Sequence, residues 1–352
     1  MAHFPVSDHH DGRRFYNPSA LRLASPPADR RIDPGFASIL AWQRSLRPRW
    51  PDDLPPPRRV VLPDLAPGAF SVTFINHSSF LIRIGRRGQP PLAVLTDPIL
   101  SARCSPFRHF GPARVVAPGL DFRSLPAIDL VLVSHCHYDH LDRPTLRRIA
   151  RRDDPVCIAP IGNRRHLRGL GFSRIRSLDW WDRTGTGLAG GPLVTLTPAL
   201  HGSARTPFDA NKALWGGFHL RSAEETLFFA GDTAHGRHWD FIRDRLGPPD
   251  LALLPIGAYE PVSLMHDVHM TPEQALDAAL RLEARRAVAM HFGTFQLTDE
   301  GYWEPPGRLS RALAASGRSP DWFRVPERGE TILLPGRTDG IPGEKAPGSR
   351  AS

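Results

Sequence analysis

The apolar run DLVLVS at 129–134 leads straight into HCHYDH at 135–140, and this junction limits what the chain can fold into more than any other segment. A short aliphatic run bounded by polar residues reads as a buried strand. Four metal-capable side chains packed into the next six residues cannot be buried without partners, because isolated imidazole and carboxylate groups are expensive to remove from water. On extended backbone alternate residues share a face, so His135 and His137 point the same way, while Asp139 and His140 lie further along and serve a neighbouring position. One loop can therefore feed two metal ions. Zn²⁺ suits these donors, and Fe or Mn accept them too. Cys136, between two outward-facing histidines, reads as a small packing residue directed into the protein.

Three more candidate ligands each follow an apolar strand. His201 ends VTLTPAL, Asp232 lies in TLFFAGDT, and His291 lies in AVAMHF. Strand runs also occur as FSVTFI, SFLIRI and LAVLTD before the histidine cluster and as LALLP after it, and helices are predicted over 144–151, 164–170, 272–284 and 308–315. Hairpin strands first and mixed strands and helices later predict an α/β (α+β) αββα sandwich over 69–335. Residues 1–68, rich in Pro and Arg, read as an extended arm packing on that domain. A short helix over 36–50 could dock on it or touch a membrane surface through Trp and Arg. The Gly-, Pro- and Ser-rich residues 336–352 read as a disordered tail.

A chain of 352 residues with 41% hydrophobic content can bury a large core unaided. Three cysteines are too few for a disulfide framework and suit a reducing compartment, so the expected location is cytoplasmic, with peripheral membrane contact allowed. No apolar stretch reaches signal-peptide or membrane-span length. The formal charge of +9 rests almost wholly on arginine, since Lys212 and Lys345 are the only lysines. Such a surface admits nucleic acid, anionic phospholipid or a phosphorylated substrate. Nucleic acid is disfavoured because no separate basic domain or aromatic stacking pattern accompanies the charge.

The His-x-His-x-Asp-His motif, together with His201, Asp232 and His291, resembles the metallo-β-lactamase superfamily. DGRRFYNP, LTDPIL, SHCHYDHLD, ARTPFDANKALWGGF, FAGDTA, LPIGAYEP, HMTPEQAL and HFGTFQL resemble its N-acyl-phosphatidylethanolamine-hydrolysing phospholipase D branch. The resemblance implies two Zn²⁺ per chain. His135, His137 and His201 would hold the first and Asp139, His140 and His291 the second, with Asp232 bridging them. It implies Asp97 as a carboxylate that orients a ligand, and Asp139 and His269 as catalytic groups, His269 acting beside the metals. His269 also stands just before Thr271-Pro272-Glu273, an ordinary helix start. Lys212 is shared with the branch and is a candidate substrate contact.

The chain departs from the branch pattern at Val268, Asn76 and Arg108-His109, which bears on substrate rather than on metal. Arg108 and His109 are candidate phosphate contacts, since guanidinium binds phosphate through charge-assisted hydrogen bonds. The expected activity is hydrolysis by a metal-bridging hydroxide, acting on N-acyl-phosphatidylethanolamine-like glycerophospholipids in the manner of a phospholipase D. A lactonase or other carbonyl hydrolase, or a nucleic-acid phosphodiesterase, would use the same site.

Overall fold

The strand ahead of the histidine cluster is β4 (Leu130–Leu132). In the computed structural model, which describes residues 4–23 and 47–334, it lies inside a seven-stranded sheet of order β14-β1-β2-β3-β4-β5-β6. The neighbours are β1 (Phe70–Asn76), β2 (Ser79–Arg86), β3 (Gln89–Thr96), β5 (Val156–Pro160), β6 (Ile175–Leu178) and β14 (Thr331–Leu333). Strands β1 to β3 form antiparallel hairpins, whereas β3 to β6 run parallel. β14 brings the end of the described chain back beside β1, with Ser71 opposite Leu333.

A second seven-stranded sheet has the order β13-β12-β11-β10-β9-β8-β7, from β7 (Arg183–Gly185), β8 (Leu193–Thr197), β9 (Gly217–Arg221), β10 (Thr226–Phe229), β11 (Leu251–Pro255), β12 (Ala287–Met290) and β13 (Phe323–Arg324). β10 to β13 are parallel and β7 to β10 antiparallel. Alternation sorts the side chains of β4 between two cores. Leu130 and Leu132 join Val72, Phe80, Phe218 and Leu253 between the sheets. Val131 and Val133 face the other way, with Leu146 and Ile149 of helix α1 (Arg143–Asp153). Helices on the outer faces of both sheets complete the αββα sandwich.

Two pairs of strand reversals make β1, β3 and β4 point one way in the first sheet, and β8, β10, β11 and β12 share a direction in the second. Every candidate ligand follows the C-terminal end of one of these strands, the end where open α/β sheets gather their sites.

The helices depart from their predicted bounds for local reasons. α2 (Arg164–Leu167) ends before Gly169, whose φ of +72° breaks the helix. α3 (His238–Leu246) and the short α4 (Val262–Met265) were not predicted. α5 (Pro272–Arg281) carries the anticipated start as a capping box: Thr271 accepts from the Gln274 amide while the Gln274 side chain accepts from the Thr271 amide. α6 (Glu304–Ala315) begins a turn before 308, because its prolines fall in the first turn, where a missing N–H leaves no intrahelical bond unmade.

The described part of the arm is packed against the domain. Phe15 and Leu21 are buried in the larger hydrophobic core, and Trp50 is buried with its indole N–H donating to the Glu300 carbonyl. Most of the helix read over 36–50, and the tail from 336, lie outside the described residues. Among the described residues no helix is long and apolar enough to cross a membrane.

Candidate metal centre

The loop 135–141 turns sharply after β4, with the amides of His140 and Leu141 both donating to the His137 carbonyl. Arg205 braces it from outside. Its guanidinium donates to the carbonyls of Cys136 and Leu141 at 2.7 and 2.9 Å and lies 3.8 Å above the Tyr138 ring, whose hydroxyl donates to the Arg205 carbonyl. Cys136 itself is buried in the second core.

Two donor sets result. In the first, His137 Nδ1 lies 2.9 Å from His135 Nε2 and 3.2 Å from His201 Nε2. In the second, Asp139 Oδ2 lies 3.3 Å from His140 Nε2 and 3.4 Å from His291 Nε2. Asp232 Oδ2 stands between the sets, 3.1 and 3.0 Å from His140 and His291 Nε2, and 3.9 and 3.8 Å from His135 and His201 Nε2. All seven residues named from the sequence are thus brought to one place.

The centre fits metal ions on the chemistry of its unsatisfied atoms. His140 Nε2, His291 Nε2 and Asp232 Oδ1 are buried and have no hydrogen-bond partner among the described residues. Unpaired buried polar atoms are rare in folded proteins because each forfeits its solvation, so such convergence calls for a cation. Burial, reinforced by the neighbouring histidines, holds His135 well below its ordinary pKa and brings His137 to about 4, leaving both rings neutral as ligands must be. Burial opposes ionisation of Asp139 and Asp232, but the facing His140 outweighs it and keeps both carboxyls well below the usual range.

The rings are oriented from behind. Asp97, fully buried after β3, accepts from His140 Nδ1 at 2.7 Å and from the Ser134 amide and hydroxyl. The same Ser134 oxygen lies 2.9 Å from His135 Nδ1. One carboxylate therefore fixes a ring of each set, directly or through a serine, leaving Nε2 of both rings facing the centre. His201 Nδ1 donates to the Val268 carbonyl at 2.8 Å, so Val268 contributes through its backbone.

His269 is beside the cluster. Its ring centroid is 5.1 Å from that of His201 and 5.4 Å from that of His291, and its Nδ1 is buried without a partner among the described residues. A metal-capable atom of His269 falls within 4.8 Å of others on His201 and Asp232.

Three candidate substrate residues are not drawn into the cluster. Arg108 and His109 are exposed at the tip of a loop closed by an Arg103–Ala113 bridge, and neither makes a hydrogen bond or ion pair among the described residues. Lys212 is half-buried and only its amide is engaged, donating to the Asp209 carbonyl.

Residues not foreseen complete the site. Ser134 and Arg205 act as just described. Asn17 bonds the main chain of His201. His77, reached by the turn after β1, places Nε2 3.0 Å from Asp139 Oδ2. A histidine within an apolar hairpin (FINHSSF) was the one available signal for the last of these.

Comparison with known proteins shows the family and the fold. Residues 93–292 match the model of a beta-lactamase superfamily domain. An uncharacterised protein of Mycobacterium tuberculosis is 35% identical over 268 residues, covering 74% of this chain and 68% of its own. N-acyl-phosphatidylethanolamine-hydrolysing phospholipase D 1 of Caenorhabditis elegans is 30% identical over 253 residues, 69% of each chain. Among solved structures, Igni18, a metallo hydrolase of Ignicoccus hospitalis, superposes with a TM-score of 0.56 at 24% identity, covering 76% of this chain and 99% of that one.

Proposed function

The chain belongs to the metallo-β-lactamase superfamily as a metal-dependent hydrolase, and from that premise we propose that it is a phosphodiesterase cleaving N-acyl-phosphatidylethanolamine-like glycerophospholipids in the manner of a phospholipase D. His135, His137 and His201 would hold one ion, Asp139, His140 and His291 the other, and Asp232 both, with zinc the first choice of metal and Fe or Mn acceptable to the same donors. Bound there, two ions supply an activated water and positive charge facing the phosphate oxygens. Only two carboxylates enter the seven-residue set, so the loaded centre stays cationic and favours an anionic diester over a neutral ester.

His269 supplies what the cluster lacks, a group that can move a proton without holding an ion. Burial keeps its ring well below the ordinary histidine pKa, hence neutral, and Nδ1 is without a partner among the described residues. The 2.8 Å bond from His201 to the Val268 carbonyl fixes the adjoining backbone.

The observation that carries the lipid reading is the apolar character of the loops leaving the ligand-bearing strand ends. Phe107 and Phe110 in the loop after Asp97 are 66% and 74% exposed, and Phe208 in the loop after His201 is 81% exposed. Aromatic side chains left in water around a site suit an amphiphilic substrate and peripheral contact with its bilayer. Arg108 and His109, lying between the two phenylalanines, suit the phosphate layer of such a surface. The relative in Caenorhabditis elegans, named for this activity, supports the same substrate class.

The test presents N-acyl-phosphatidylethanolamine in mixed micelles, a lactone of similar size and a single-stranded oligonucleotide under identical metal and salt. Release of N-acylethanolamine and phosphatidic acid should be fastest, and faster turnover of the lactone or oligonucleotide would overturn the reading. His269→Ala should lower kcat on the lipid with metal content unchanged.

A further inference from the structure

Five side chains, not four, converge on the second donor set. We propose that His77 is a ligand of the second metal position, making that position richer in protein donors than the first; this rests on the two-metal reading above. His77 Nε2 lies 3.0 Å from Asp139 Oδ2, beside the 3.3 and 3.4 Å of His140 and His291 Nε2 from the same oxygen. Donor atoms of His77, Asp139, His140 and His291 all fall within 4.8 Å of one another. Measured from Asp139 Oδ2, His77 stands as close as His140 and His291, although only those two also reach Asp232 Oδ2, at 3.1 and 3.0 Å.

The surroundings hold the ring there. His77 is buried, with its ring centroid 4.0 Å from that of His291 and the edge of Phe295 packed against it. Its amide donates to the Thr294 hydroxyl at 2.9 Å, and its carbonyl accepts the His291 amide at 2.8 Å. The two histidines are thus tied through their main chains across the two sheets. Both occupy left-handed backbone, with φ of +47° at His77 and +61° at His291. Non-glycine residues seldom adopt it, and it persists where the surrounding structure demands a particular side-chain direction.

The consequence is an asymmetric pair. The first position has His135, His137, His201 and Asp232, four donors suited to tetrahedral zinc. The second has His77, Asp139, His140, Asp232 and His291, five nitrogen and oxygen donors, which suit a metal accepting five or six ligands, such as Mn, Fe or Co. The competing role for His77 is a hydrogen bond from Nε2–H that only orients Asp139. Glutamine could also donate such a bond, which separates the two roles.

The experiment compares full-length protein, His77→Ala and His77→Gln after loading with Co(II) and dialysis against a weak chelator. Metal per chain, the visible Co(II) spectrum and the far-UV dichroism are recorded. Unsubstituted protein should hold about two ions, one of them with the weak absorption of five- or six-coordinate cobalt. Both variants should hold the second ion more weakly, so that the chelator draws metal per chain from about two toward one, and what cobalt remains there should shift toward the four-coordinate spectrum. Full retention by His77→Gln, or two ions with an unaltered spectrum in His77→Ala, would overturn the assignment. So would four-coordinate cobalt at both positions of the unsubstituted protein, a readout that does not depend on a variant folding. Fewer than two ions in the unsubstituted protein would instead sink the two-metal reading, and this inference with it.

Discussion

Asn17 grips His201 at both ends of its main chain, donating from Nδ2 to the His201 carbonyl at 2.8 Å and accepting the His201 amide on Oδ1 at 3.3 Å. The bonds span 184 positions of sequence, so a segment near the start of the chain sets the place of a metal-facing histidine. Its neighbours act alike. The Phe15 amide donates to the Asn211 carbonyl, the Leu21 carbonyl accepts the Arg237 amide at 2.7 Å, and Arg22 pairs with Asp267 at 2.5 Å, two residues before His269. The segment thus straps three loops of the site.

Asn17→Ala should therefore weaken the first metal position while leaving the fold intact. Two partly buried main-chain bonds lost are worth about 1–3 kcal/mol, or about a tenfold rise in Kd for that ion. Competition with a chromophoric chelator measures it. An unchanged affinity would show that His201 is held well enough by its ring bond to Val268.

Asp97 and Ser134 should separate by position. Asp97→Ala removes the partner of His140 directly and of His135 through Ser134, so it should lower affinity at both positions, by about 10–100-fold each. Ser134→Ala should affect the first position far more than the second. Stepwise chelator titration distinguishes the two, and equal loss at both positions in Ser134→Ala would refute the relay.

Asp232→Ala should cost more activity than alanine at any one histidine. Its Oδ2 is the atom common to both donor sets, 3.0 to 3.9 Å from four imidazoles, and removing it also uncovers repulsion between two cations. Parallel turnover and metal measurements on single alanine variants provide the comparison. A loss no larger than that of His135→Ala would mean that Asp232 serves only one ion.

The fold and most of the donors were legible because burial and chemistry coincide in them. DLVLVS must be a strand, HCHYDH cannot lie idle after it, and His201, Asp232 and His291 each end an apolar run. What escaped depends on contacts between distant segments. Asn17 is an ordinary polar residue until the strap meets His201, and Ser134 reads as the polar end of a strand. His77 carries no spacing signal, since its partners are 62 and 214 residues away. α3 gives little periodic signal because polar His238 is buried on its inner face with Trp239 and Ile242, and Arg243 and Arg245 interrupt the apolar pattern. Arg108 and His109 were readable as phosphate-binding types, yet the loop holds them at its exposed tip.

The strap should also respond to pH. His9 is stacked on Trp180 at 4.4 Å, and its ring nitrogens lie 2.7 Å from Asp179 and 2.6 Å from Asp8. Burial favours the neutral ring, but the two carboxylates outweigh it and raise the pKa above the ordinary 6.5. Burial likewise opposes ionisation of Asp179, and the bond from His9 reverses the effect and lowers its pKa below 3.8. A raised histidine contributes fully below 6.5 and loses that contribution as pH climbs through its folded value. A depressed aspartate contributes above 3.8 and fails as pH falls through its own. The contact is therefore strongest from about pH 4 to 6.5 and loosens in the alkaline direction. Amide exchange over residues 4–23, corrected for the intrinsic rate, should show protection falling as pH rises above about 6.5. His9→Gln should be less protected at the acid end and nearly flat across the range. A flat profile in the unsubstituted protein would show that Phe15, Asn17 and Leu21 dock the strap without His9.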